Sequence, residues 1–107
     1  MAKLRLQSIV CHRPDDFPGV DEAYILVNGK KVWAHTMPRD AVEDLTAVGD
    51  IAFSAKARID LYDLDEPAGA DDHLGTIYAP RTIAGTGEHE YEFQTLKGDY
   101  HLTYEVV

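Results

Sequence analysis

Apolar and polar residues alternate with period two along most of this chain, and the alternation stops at clusters of Gly, Pro, Asn and Asp. Residues 3–12 open with Leu4 and Leu6 on one face and then turn uniformly apolar, which predicts a strand. Ala23-Tyr24-Ile25-Leu26-Val27 is aromatic and β-branched enough for a buried strand. Asn28-Gly29 tolerates φ > 0 at both positions, so it predicts a tight hairpin returning through Lys31-Val32-Trp33-Ala34. Residues 57–62 alternate cleanly. Residues 74–78 form another strand, ended by Pro80. Residues 89–94 alternate polar and aromatic side chains, and Tyr100, Leu102, Tyr104 and Val106 mark a last inward face.

Between these runs lie the breaks. Residues 13–21 hold two prolines, a glycine and three aspartates, and so form a loop. Gly85-Thr86-Gly87 and Lys97-Gly98 are turns. Residues 37–50 read as a long connection: Pro38-Arg39-Asp40 could start a short helical turn through Leu45, and a strand is expected near 43–48. Seven or eight short strands with no convincing helix predict one all-β domain over residues 1–107. The expected architecture is an antiparallel, eight-stranded Greek-key β-sandwich.

Charge narrows the function. Nineteen acidic against ten basic residues give a net charge of −9. That excludes the basic footprint of a constitutive nucleic-acid binder and disfavours unassisted docking on anionic lipid. Cys11 is the single cysteine, so no internal disulfide or thiolate zinc site can form; its flanks make it a buried small hydrophobe. No apolar run reaches the roughly 18 residues of a membrane span, and no signal peptide is visible, so the default expectation is a cytoplasmic protein. Export by another route, or excision from a longer chain, stays open.

Between Arg58 and Arg81 there are six acidic residues and no Lys or Arg. Such a cluster repels itself unless water or a cation neutralises it, and hard carboxylate oxygens on a flexible loop suit Ca²⁺. In a sandwich, loops from distant parts of the chain converge at one end. The loop at 13–22 offers Asp15, Asp16, Asp21 and Glu22; the loop at 63–72 offers Asp63, Asp65, Asp71 and Asp72. If they meet, six to eight carboxylates surround a volume suited to one or two Ca²⁺ ions.

Tyr62-Asp63-Leu64-Asp65, followed by Asp72-His73-Leu74-Gly75, resembles the third calcium loop of C2 domains. Asp15 and Asp21, six apart before Ala23-Tyr24-Ile25, resemble that family's first loop. The resemblance implies a calcium-binding C2-like module with Asp15, Asp21, Asp63, Asp65 and Asp72 as metal ligands. Phospholipid membrane or a protein is the implied partner. It also implies the type II-like circular topology, whose extra edge strand is C-terminal. Three departures qualify it. The family's proline after the second loop-one aspartate is missing, and counting back from Tyr24 selects Asp16 and Glu22 instead. Loop three carries one extra residue, so Asp71 competes with Asp72. The tryptophan-containing stretch of the family has no counterpart in 37–53.

Other chemistries fit less well. An EF-hand counted from Asp63 fails at Pro67, Ala68 and Leu74. His12 and His73 border the acidic loops and invite zinc, but the five histidines show no paired spacing. The loop-three carboxylates lie on an exposed tip rather than in a cleft, and no nucleophile-base pair is visible, so an enzyme is not expected. Phe17 and Val20 at the tip of loop one suit either insertion into a bilayer or packing against Pro14 or Pro18. The alternative to docking is a structural module in which calcium only stabilises the fold.

Overall fold

A computed structural model describes residues 1–15, 19–64, 71–96 and 98–107. Among the described residues nine strands run in chain order: β1 (Ala2–Arg13), β2 (Asp21–Val27), β3 (Lys30–Met37), β4 (Val42–Asp44), β5 (Asp50–Phe53), β6 (Lys56–Asp63), β7 (Asp72–Pro80), β8 (His89–Gln94) and β9 (Asp99–Val106). They form two sheets in which every pairing is antiparallel. One sheet has the order β4-β1-β9-β8, with β5 also paired to β1; the other has the order β3-β2-β6-β7.

The inward faces carry the period-two residues. Leu4, Leu6, Ile9 and Cys11 of β1 meet Ala23, Ile25 and Val27 of β2, Ile59 and Leu61 of β6, and Tyr100, Leu102 and Val106 of β9, all nearly or fully buried. Burying each large aliphatic side chain contributes about 1.5–3 kcal/mol, which makes this shared interior the main source of stability. Cys11 is buried as its flanks predict, and desolvation raises its thiol pKa to about 11, so it stays a neutral hydrophobe at neutral pH. Asn28 and Gly29 take the positive φ angles of a two-residue hairpin. The Asn28 side chain also accepts the backbone N–H of Arg58 at 2.8 Å, tying the hairpin to β6.

Two details differ from the sequence expectation. The stretch after Met37 holds two short strands, not one near 43–48, with a 3₁₀ turn at 46–48 between them. Fully buried Leu45 anchors it, and its backbone N–H bonds to the Gln7 carbonyl where β1 shifts register. Both short strands share one edge of the 12-residue β1, which brings the total to nine. The extra C-terminal strand, expected at an edge, lies inside its sheet between β1 and β8. Alternate residues of β9 are buried and both of its backbone edges are paired, which an edge strand cannot achieve. Trp33 of β3 is half-buried, packed partly on the core and stacked on His35.

Candidate metal-binding pole

β1 delivers the chain to loop one and β2 takes it back into the opposite sheet, so the loop bridges the two layers at one end. Asp21, the first residue of β2, is fully buried there. Its Oδ2 accepts the backbone N–H of Asp15 at 2.7 Å and the Tyr100 hydroxyl at 2.5 Å. The first bond closes loop one on itself, and the second fastens it to β9. A carboxylate with no surface exposure requires such donors.

β6 and β7 arrive at the same pole. Asp63, the last residue of β6, is 1% exposed, and its Oδ1 accepts the backbone N–H of Glu22 at 3.0 Å. Leu64 N–H bonds to the Glu22 carbonyl at 2.8 Å. β2 and β6 are thus locked together where the two loops depart. Asp72 is the ladder partner of Asp63.

One carboxylate oxygen each from Asp15, Asp63 and Asp72 lies within 4.8 Å of the other two. Three negative groups at this spacing repel one another, and burial of Asp63 limits the water that could screen them. An all-oxygen, carboxylate-rich donor set of this kind matches the chemistry of a hard divalent cation such as Ca²⁺.

Of the residues that the sequence nominates, Asp15, Asp63 and Asp72 converge, and Asp21 supports Asp15 from below. Asp71 turns to the outer face of the β3-β2-β6-β7 sheet, where its Oδ2 accepts the Tyr24 hydroxyl at 2.5 Å. Burial and that bond push the Tyr24 pKa up to about 12. Between the competing pairs in the sequence, Asp72 faces the cluster and Asp71 faces Tyr24. Glu22, exposed on β2, offers its backbone to Asp63. Asp16, Asp65 and the loop-tip residue Phe17 lie outside the described residues.

His12 and His73 do not meet. His73, on β7, has its Nε2 3.1 Å from Asp60 Oδ1 and 2.8 Å from the Thr76 hydroxyl. His12, on β1 in the other sheet, stands edge-on to His101 with ring centroids 4.8 Å apart.

The β8–β9 turn joins the pole, which the sequence did not disclose. Leu96 and Thr95 line an open depression of about 360 Å³ together with Asp15, Asp72, His73 and Leu74. The turn is held by Gly98 N–H donating to the Thr95 hydroxyl at 2.7 Å, and Gly98 packs against the Asp15 backbone. Leu96 is fully exposed and borders Asp15 and Asp72 in this depression, and Val20, just before Asp21, is about half exposed. An isolated leucine between two turn residues carries no period that would mark it in a sequence.

A solved structure described as a C2 domain resembles this chain with a TM-score of 0.59 and 19% identity, over 99% of this chain and 98% of that one. No protein-family profile and no curated protein sequence matches the chain. The protein therefore has the C2 fold: an all-β sandwich of two antiparallel sheets.

Proposed function

We propose that this protein is a calcium-binding C2-like module whose two acidic loops hold about two Ca²⁺ ions and promote docking to a phospholipid membrane or a protein partner. One observation carries the reading: Asp15 lies far in the chain from Asp63 and its ladder partner Asp72, yet the sandwich brings its carboxylate oxygen within 4.8 Å of theirs. A divalent cation would relieve the repulsion among the three carboxylates. Asp15, Asp63 and Asp72 would hold the metal, with Asp16 and Asp65 as further carboxylates of the same two loops, while Asp21 braces loop one and Asp71 is turned to Tyr24. Bound Ca²⁺ supplies positive charge, and two ions bring the formal charge from −9 to −5.

The chain's own residues do the rest. Asp21 fixes the start of loop one through Asp15 and Tyr100, and Asp63 fixes the root of loop three through Glu22. Leu96 and Val20 present apolar surface beside the carboxylates, so neutralising the pole leaves a face suited to a headgroup–acyl boundary. With its negative charge unmatched, the same face is repelled by anionic lipid. The function proposed is binding, not catalysis.

A second reading has its own support. The Asp21–Tyr100 and Asp63–Glu22 bonds brace the pole within the protein, which suits a structural module in which calcium only stiffens the fold. Cosedimentation with phosphatidylserine-containing vesicles, with Ca²⁺ and with EDTA, separates the two. Calcium-dependent sedimentation that is lost in Asp63→Asn supports docking. A calcium-dependent thermal shift without sedimentation supports the structural role. Identical melting with Ca²⁺ and EDTA refutes the calcium site altogether.

A further inference from the structure

A second cluster of metal-ligating side chains lies on the outer face of the β8–β9 hairpin, and its donors differ from those of the acidic loops. Glu92 of β8 is the ladder partner of His101 of β9, and Asp99 lies two residues before His101 on the same face. One carboxylate oxygen of Glu92, one of Asp99 and one imidazole nitrogen of His101 all lie within 4.8 Å of one another. His101 Nε2 is 3.4 Å from Glu92 Oε2. His12 of β1 abuts His101 edge-on at 4.8 Å between ring centroids and so fixes the plane of the imidazole. Asp99 Oδ1 is buried and has no hydrogen-bond partner among the described residues, an unusual state for a carboxylate oxygen.

We propose that Glu92, Asp99 and His101 form a binding site for a divalent transition-metal ion, with zinc as the reference ion. An imidazole and two carboxylates on rigid neighbouring strands make a mixed nitrogen–oxygen set. Such a set favours Zn²⁺ over Ca²⁺, which takes oxygen ligands alone. The net charge of the three ligands, with His101 neutral, is −2, which a divalent ion cancels. Tetrahedral zinc needs donor atoms about 3.3–3.5 Å apart, given bond lengths near 2.0–2.2 Å, so small rotations of the exposed Glu92 and His101 side chains complete the geometry. Their exposure (44% and 39%) also gives the ion a path in. A metal bound by the Asp99 carboxylate would offset the cost of its buried, unpartnered Oδ1. Arg13, the ladder partner of Asp99, sets the competing positive charge. The site sits on the outer face of the β4-β1-β9-β8 sheet, shares no residue with the cluster of the acidic loops, and does not depend on their binding calcium.

The test is a calorimetric titration of the full chain with Zn²⁺ at pH 7 in excess Ca²⁺, repeated with Co²⁺ to read tetrahedral coordination in the visible spectrum. The expected result is one ion per chain, with affinity reduced about tenfold or more in His101→Ala and in Asp99→Asn. Binding should be unchanged in His89→Ala, which removes another imidazole from the same hairpin, and in Asp63→Asn, which removes a loop carboxylate. Thermal melts confirm that each variant is folded, and Glu92→Gln, at an exposed position, serves if Asp99→Asn is not. No zinc binding, equal binding by His101→Ala and the parent, or loss of binding in Asp63→Asn overturns the proposal.

Discussion

The hydroxyl of Tyr100 donates a 2.5 Å hydrogen bond to the carboxylate of Asp21, joining two fully buried residues 79 positions apart across the interior of the sandwich. It links the end of loop one, where β2 begins in one sheet, to the last strand of the other. Tyr100→Phe leaves the Asp21 oxygen without that donor and should destabilise the protein by about 1–3 kcal/mol, read as a lower urea midpoint. Burial, and then the bond to Asp21, raise the Tyr100 pKa far above the usual tyrosine range. The folded state therefore keeps a proton that the unfolded chain releases near pH 10, so stability is complete below about pH 10 and falls as pH rises above it. Tyr100→Phe should flatten that alkaline limb.

Calcium should raise the melting temperature relative to EDTA, and Mg²⁺ should raise it less. At about 100 times its dissociation constant a ligand adds roughly 2.7 kcal/mol, which corresponds to many degrees for a domain of this size. Asp63→Asn should abolish the shift.

Leu96 is fully exposed beside the carboxylate cluster, so Leu96→Ser should change stability by less than about 0.5 kcal/mol. If the pole enters a bilayer, the same substitution should weaken calcium-dependent vesicle binding about tenfold or more, since burying a leucine is worth about 1.5–3 kcal/mol. The calcium-dependent thermal shift should survive. Vesicle binding equal to that of the parent would remove Leu96 from the docking face.

Gly75 and Phe93 close one side of the sandwich. A Cβ at position 75 would lie 2.6 Å from Phe93 Cδ1, and the Phe93 ring is 2% exposed, so it has little room to retreat. Gly75→Ala should cost about 1–3 kcal/mol in denaturant unfolding. Gly75→Ala paired with Phe93→Leu should recover part of that loss.

Asp60, 4% exposed on β6, is pulled two ways. Burial raises its pKa, but hydrogen bonds from Thr76, Arg58 and His73 outweigh burial and hold it below the ordinary carboxylate range. Its contribution to stability is present above the unfolded value near pH 3.9 and is lost as pH falls through the lower folded value. Replacing it with Asn should weaken the dependence of stability on pH in that acid window.

The strands of the interior were legible because they alternate. β6 and β9 each turn one apolar face to the core, so Ile59 and Leu61, and then Tyr100, Leu102, Tyr104 and Val106, declare their side of the sheet directly. The region from 37 to 53 was not, because β4 and β5 are edge segments of three and four residues, too short for a period to show. At the acidic pole, spacing identified the loops, and the fold shows which way the neighbouring Asp71 and Asp72 turn. The bond between Asp21 and Tyr100 and the contact between His12 and His101 are made across strands, where spacing in the chain carries no signal. Leu96 was invisible for a simpler reason: a single exposed leucine in a turn looks like any other.

Lys3 and Val107 exchange a pair of backbone hydrogen bonds, each 2.8 Å, at the opposite end of β1 from loop one. The two ends of the domain therefore emerge side by side. β1 is thus tied to the last strand at the end remote from the carboxylates, so a substitution in the acidic loops can loosen one pole while the other stays closed.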